Sequence, residues 1–239
     1  MTAAIIQARM GSTRLPGKVL QPLARRPMLQ QVIERVRRAE TVQQVLVATT
    51  VQPTDDSIAA LCSELSCTCF RGDEDDVLDR YYRAAQEVNA ESIVRITADC
   101  PFIDPAIIDQ VVRSFHEFGA DYCSNIAPVR TYPRGLDTEA FSFTALQRCW
   151  QEASDVSSRE HVTAFIYRHP ERFKIHGVTH PYDESPHRWT VDTPEDYALA
   201  CRVYEHFQSN KFHWEEVLAL LSVHPEWSHL NVHVEQKAH

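Results

Sequence analysis

Not one aspartate or glutamate occurs between Met1 and Ile33, although the 239-residue chain carries 33 acidic residues against 24 Lys and Arg and a net charge of −9. The overall acidity argues against broad attraction to nucleic acid or to an anionic membrane surface. The clustering of Arg9, Arg14, Lys18, Arg25 and Arg26 in the acid-free stretch is compatible with a local anion site, and equally with a plain basic face. No apolar run approaches the roughly 20 residues that a membrane helix needs. The basic-then-apolar layout of a secretory signal is also missing, so a cytoplasmic protein is expected. The seven cysteines are odd in number and include no CxxC pair, which signals neither a disulfide framework nor a zinc knuckle; they are expected to be reduced and mostly buried. Internal repeats and low-complexity tracts are absent. So is a Walker P-loop: the early glycines fall at 11 and 17, and Val19 follows Lys18.

What is present is an ordinary globular composition, 44% hydrophobic and 24% charged, in a chain near the upper size of one domain. Strand-like and helix-like segments alternate. Thr2 to Ala8, Gln44 to Thr49, Cys67 to Arg71 and Ser92 to Ala98 are short apolar or β-branched runs. Between and after them, Pro27 to Arg38, Thr54 (as N-cap) to Leu65, Asp76 to Val88 and a helix opened by Asp104 and Pro105 show helical spacing. This pattern predicts an α/β fold with a mostly parallel sheet covered on both faces, a three-layer sandwich. The region 125–187 is less regular and is expected to be an inserted segment within the single domain 1–239. In it, Asp121 to Ser124, Leu136 to Phe141 and Arg172 to Val178 read as extended, and Ser157 with Glu160 suggests a capping box before a helix from Val162 to Arg168. Regular structure resumes with a strand from Arg188 to Val191 and a helix capped by Thr193 with Pro194 in its first turn. Trp214 to Val223 forms a further amphipathic helix, and the tail beyond it carries no clear signal.

In such a sheet, ligands bind beyond the carboxyl ends of the strands. Three segments sit there. After the first strand, Gly11 and Ser12 let backbone N–H groups approach an anion while Arg9, Arg14 and Lys18 supply positive charge, which suits a polyphosphate; an ordinary βα loop with a proline turn would look similar. Asp99 ends the fourth strand within RITADCPFIDP, and Asp192 ends the later strand within WTVDTPED. Two carboxylates at neighbouring strand ends could hold Mg²⁺, a hard ion that prefers oxygen ligands, although aspartates also occupy turns and caps there, which is the role expected of Asp104.

Six blocks in order, ARMGSTRLPGK, RGDEDDVLDRYYRAA, RITADCPFIDP, YPRGLDTEAFS, SREHVTAFIY and RWTVDTPEDY, are spread from Ala8 to Tyr197. Together they resemble the SpsF (spore coat polysaccharide biosynthesis) group within the superfamily of CMP-Kdo and CMP-sialic acid synthetases. The resemblance implies a GT-A-like nucleotidyltransferase fold, a Mg²⁺-dependent cytidylyltransferase using CTP and an acidic sugar or similar acceptor, a homodimer, and a place in surface polysaccharide biosynthesis. Carried over by position, Ala8, Arg9, Gly11, Ser12, Arg14 and Lys18 match the triphosphate loop, with Arg9, Arg14 and Lys18 as its catalytic cations. Asp99 and Asp192 match the metal-binding aspartates, Asp99 also bordering the nucleotide. Arg71, Gly72, Asp79 and Arg80 match the border of base and ribose. Asp137, Glu139, Arg159 and His161 match the acceptor pocket, and 125–187 matches an acceptor-binding and dimerisation segment.

The expected chemistry is in-line attack by an acceptor oxygen on the α-phosphorus, with pyrophosphate leaving into the basic loop. One alternative is a GT-A glycosyltransferase using a finished nucleotide sugar, with the acidic triplet Asp73, Glu74, Asp75 as its metal site. Another is a nucleotide-binding module without turnover.

Overall fold

The computed structural model describes residues 1–236. Its seven-stranded sheet comprises β1 (Thr2–Gln7), β4 (Gln44–Thr50), β5 (Thr68–Gly72), β6 (Ser92–Thr97), β7 (Tyr122–Ser124), β8 (Glu139–Ser142) and β9 (Ile175–Gly177); β2 (Pro22–Leu23) and β3 (Arg26–Pro27) form a separate two-stranded ribbon. The spatial order is β5-β4-β1-β6-β8-β7-β9. β8 alone runs against its neighbours, pairing antiparallel with both β6 and β7. The remaining ladders are parallel.

Alternation along β1 sorts its side chains between two cores. Ala4 and Ile6 face one layer, with α1 (Met28–Val36), α2 (Asp56–Glu64), α4 (Pro105–Glu117), α8 (Pro194–Phe207) and α9 (Trp214–Val223). Ala3 and Ile5 face the other, with α3 (Val77–Glu87) and the helices that follow β8, namely α5 (Phe143–Glu152), α6 (Val156–Glu160) and α7 (Ala164–Arg168). A short α10 (Pro225–Ser228) follows α9. Residues 125–187 therefore contribute strands to the central sheet and helices to one of its layers. All seven cysteines are free thiols, five of them buried.

Four local expectations differ from the structure. Arg188 to Val191 is no strand: its amides reach two different loops, Trp189 N–H to Arg134 O at 2.7 Å and Val191 N–H to Asp99 O at 2.8 Å. That leaves one isolated bridge, Arg134 to Arg188, in place of a ladder. Ser157 and Glu160 lie inside α6, because Asp155 caps two residues earlier by accepting from Ser158 N at 2.9 Å. Thr54 does not cap α2; Pro53–Asp55 first makes a 3-10 turn that points Asp55 inward. The helix α5 follows β8 directly, where the sequence reading placed no element.

Candidate active site

A cavity of about 440 Å³ opens at the carboxyl ends of β1 and β6, where a parallel sheet presents its ligand sites. Its first wall is the loop 8–18. The carbonyl of Met10 receives the amides of Ser12 (2.9 Å) and Gly17 (3.1 Å), folding the loop back on itself. Gly17 takes φ +69°, left-handed backbone that suits glycine, and starts the single 3-10 turn Lys18–Leu20. Over Gly11 the space is open apart from Glu74 Oε1, 3.5 Å from where a Cβ would stand.

That turn sends the Lys18 side chain into the cavity floor. Lys18 is 8% exposed. Its Nζ donates to Asp99 Oδ2 at 2.7 Å and to Asp192 Oδ1 at 2.8 Å. Burial by itself disfavours the ammonium, yet the two carboxylates outweigh it and the Lys18 pKa is raised. Burial likewise works against the Asp99 carboxylate, and Lys18 reverses the balance and holds its pKa below the ordinary value. Asp192 Oδ2 accepts from Arg188 at 2.8 Å and lies 3.1 Å from Arg14 Nη2. Lys18, Arg14, Asp99 and Asp192 thus meet at one point, and Arg9 stands at the rim, 3.9 Å from Glu74.

The donor set at this point fits Mg²⁺. Asp99 and Asp192 offer hard oxygens, and a cationic group, the Lys18 ammonium, already bridges them. No group of three or more His, Cys, Asp or Glu suited to a metal occurs among the described residues. Two carboxylates suit an ion that keeps waters and takes substrate phosphate oxygens for its remaining positions.

The matched base and ribose positions separate into two groups. Arg80 lines the cavity, 2% exposed, with its Nε lacking a hydrogen-bond partner among the described residues. Gly72 makes room for it, since a Cβ there would stand 2.8 Å from Arg80 Cγ. Arg71 and Asp79 point elsewhere. Arg71 binds Asp56 (2.7 Å) and the carbonyl of Thr50 (2.8 Å), and Asp79 accepts from Trp150 Nε1 (2.8 Å), fastening α5 to α3.

At the other end, Asp137, Glu139 and His161 line the cavity, whereas Arg159 reaches Asp76 and the carbonyl of Trp150 and ties α6 to the start of α3. Glu139 is 1% exposed and accepts from Arg95, from Tyr122 Oη at 2.7 Å and from Thr163 Oγ1 at 2.5 Å. Asp137 makes a two-pronged pair with Arg130 (2.6 and 2.8 Å). Arg134, beside it, forms no ion pair among the described residues; burial and then the neighbouring Arg130 lower its pKa. Gly135 is required here: φ is +103°, and a Cβ would fall 2.6 Å from the backbone of Trp189.

Arg95, Arg130 and Arg134 are cavity residues that the sequence reading passed over. A signal existed for Arg95, a charge flanked by Val94 and Ile96 in a buried strand. Asp55, just before α2, is buried at 1% exposure, and its carboxylate accepts from Met10 N at 2.8 Å and from Thr50 N at 3.2 Å, so it fixes the start of the loop. In the acidic triplet, Asp73 accepts from the amides of Asp75 (2.8 Å) and Asp76 (3.3 Å), turning the chain into α3. Neither Asp73 nor Asp75 lines the cavity, which removes the geometric basis for a glycosyltransferase metal site there.

Residues 3–220 match the cytidylyltransferase family. The chain belongs to that family. It is 35% identical over 208 residues to the spore coat polysaccharide biosynthesis protein SpsF of Bacillus subtilis, covering 84% of this chain and 85% of that one. It is 41% identical over 112 residues to the 3-deoxy-manno-octulosonate cytidylyltransferase of Trichlorobacter lovleyi, covering 47% of this chain and 44% of that one. Among solved structures, a cytidylyltransferase from Leptospira borgpetersenii superposes with a TM-score of 0.91 at 31% identity, covering 100% of this chain and 99% of the other. The fold is thus a nucleotidyltransferase fold, and its cavity combines a basic loop, two carboxylates bridged by a lysine and an arginine-lined far wall.

Proposed function

We propose that this cytidylyltransferase activates an acidic sugar with CTP for surface polysaccharide synthesis, using Mg²⁺ held by Asp99 and Asp192. The observation that carries the reading is the Lys18 ammonium seated between those two carboxylates on the floor of the cavity. It marks a point built for positive charge, next to a loop built for negative charge.

In this reading Lys18, Arg14 and Arg9 face the triphosphate, and the amides of loop 8–18 approach its oxygens. Lys18 exchanges its carboxylate partners for phosphate oxygens, which frees Asp99 and Asp192. Bound Mg²⁺ supplies Lewis-acid polarisation and charge neutralisation at the phosphates. Arg80, with an unused Nε donor, is placed to read the nucleoside.

Arg95, Arg130 and Arg134 form the acceptor end. Glu139 orients Arg95, Asp137 orients Arg130, and Arg134 is left to pair with the acid group of the acceptor. The acceptor oxygen then bonds to the α-phosphorus as the bond to the bridging oxygen breaks, and pyrophosphate carries that electron pair into the basic loop. Positioning of two anionic reactants in one cavity is the main contribution of the chain. A homodimer formed through residues 125–187 is part of the same proposal, checked by light scattering.

The test is pyrophosphate release from CTP and Mg²⁺ across a panel of acidic sugars. At least one sugar should release stoichiometric pyrophosphate with CTP preferred over other nucleoside triphosphates. CTP binding without turnover on every acidic sugar tried would refute the transferase reading.

A further inference from the structure

The carboxylate of Asp192 is held from behind by a chain of contacts that ends in the C-terminal tail. Arg188 donates to Asp192 Oδ2 from Nη2 (2.8 Å) and to Asp196 Oδ1 from Nε (2.9 Å). Asp196 Oδ2 in turn accepts the backbone amides of Asp192 and Thr193, both at 3.0 Å. Asp196 is therefore bound to the backbone of Asp192 and, through Arg188, to its side chain. Asn231, 3% exposed, donates one Nδ2 hydrogen bond to Asp196 Oδ1 and one to Arg188 O, each at 2.8 Å. Arg188 Nη1 is capped by Gln236 Oε1, and Gln236 also lines the main cavity. Both tail residues lie beyond residue 220, where the family match ends.

Geometry makes this more than a packing contact. Without Asn231 and Gln236, Asp196 loses a neutral donor, Arg188 Nη1 loses its acceptor, and the guanidinium is held from behind only by its two-pronged pair with Asp196, Nε to Oδ1 at 2.9 Å and Nη2 to Oδ2 at 3.1 Å. The unpaired Nη1 then has Asp192 as its neighbouring acceptor, and a shift of the guanidinium toward that carboxylate competes with whatever cation the cavity receives. With them in place, the guanidinium is held to a single contact on Oδ2, and Oδ1 stays directed into the cavity, where Lys18 now binds it.

We infer that Asn231 and Gln236 are positioning residues: the C-terminal tail sets the orientation of Asp192 and thereby the divalent-ion requirement of nucleotide binding. The inference rests on the reading of Asp192 as a metal-holding residue. Partners that orient a metal-binding side chain typically change metal affinity about 10–100-fold when removed.

The experiment is calorimetric titration of CTP into the whole protein, in EDTA and across a range of Mg²⁺ concentrations, for the unmodified chain, Asn231→Ala and Gln236→Ala. Gln236 is exposed, so its variant tests the idea even if Asn231→Ala unfolds the tail; melting curves establish that each variant is folded. The Mg²⁺ concentration giving half of the metal-dependent gain in CTP affinity should rise about tenfold or more, while affinity in EDTA stays within about twofold, a split that loss of tail packing alone would not produce. An unchanged Mg²⁺ midpoint in folded Gln236→Ala and Asn231→Ala overturns the role of the tail. If Mg²⁺ gives the unmodified protein no gain in CTP affinity, the metal reading of Asp192 falls first and takes this inference with it.

Discussion

Asp55 Oδ1 receives the backbone amide of Met10 at 2.8 Å, joining the turn after β4 to the loop that opens the active site. The same carboxylate accepts from Thr49 Oγ1 at 3.1 Å and Thr50 N at 3.2 Å, so it has no capacity left for a ligand. Its role is to hold loop 8–18 in the shape that directs Lys18 inward. Asp55→Ala strands several buried donors, each costing about 1–3 kcal/mol when unsatisfied. The melting temperature should fall, and CTP affinity should fall further than that of Asp55→Asn, which keeps one acceptor. Equal CTP affinity in Asp55→Ala and the unmodified chain, measured by calorimetry well below the melting point, would count against this role.

Removing the ammonium takes from Asp99 its cationic partner and leaves it beside an Asp192 that keeps Arg14 and Arg188. Breaking a buried ion pair by deleting one partner costs about 3–5 kcal/mol. Lys18→Met should therefore melt well below the unmodified protein and regain part of the loss when Mg²⁺ alone is added, because the carboxylates then accept the ion directly. Turnover should drop about 10²–10³-fold, the scale seen when a charge-stabilising donor is removed. Asp99→Asn should also lose most turnover with the fold intact. A Lys18→Met protein whose melting temperature ignores Mg²⁺ is the result that contradicts the shared site.

Acid should expose the same interaction. The folded chain holds Asp99 and Asp196 below the ordinary 3.8, against their burial, through Lys18 in the first case and Arg188 with Asn231 in the second. The unfolded chain therefore binds more protons below about pH 4, so this stabilisation is complete above that pH and drains as the pH falls through the depressed values. On the alkaline side the raised Lys18 contributes fully below its ordinary 10.5 and is lost only as the pH climbs through its folded value. In Lys18→Met the leading favourable cause at Asp99 is gone, and the acid unfolding midpoint, followed by circular dichroism, should move to higher pH. An unmoved midpoint would show that Lys18 does not set the Asp99 charge.

Glu139 sits behind Arg95 with Tyr122 and Thr163. Glu139→Gln keeps the shape and removes the charge that fixes Arg95. The KM for the acceptor should rise about tenfold or more while CTP affinity changes little, since a charged partner contributes about 1.5–3 kcal/mol. A rise in the CTP constant of the same size as the acceptor's would place Glu139 in the nucleotide half instead.

The basic loop and the two aspartates that Lys18 bridges were visible in the sequence because each is a local statement, small residues and cations after one apolar run and a carboxylate after another, although the strand expected before Asp192 is absent. Arg71 and Asp79 looked equivalent to Arg80 in the same block, yet only Arg80 lines the cavity, since Arg71, within β5, reaches the carbonyl of Thr50 and Asp56 while α5 captures Asp79 through Trp150. The strand β8 was read within Leu136 to Phe141, but its antiparallel direction was not, because what sets that direction is the partner on either side. Arg188 to Val191 had the composition of a strand and became a connector, because the carbonyls it meets belong to two separate loops.

By itself the sequence determined the alternation of strands and helices, the caps at Asp104 and Thr193, and the basic character of the first loop, since all of these follow from neighbours within a few residues. Only the tertiary structure decided that Lys18 meets Asp99 and Asp192, 81 and 174 residues away, and that a tail with no signal of its own bonds to Arg188 and Asp196 behind the second of them. The reason is the parallel sheet and the connector beside it: β1 and β6 bring the basic loop and Asp99 to one edge, the Val191 amide bound to Asp99 O brings Asp192 there, and the charges acquire their pairing from that convergence and from burial, neither of which a local pattern contains.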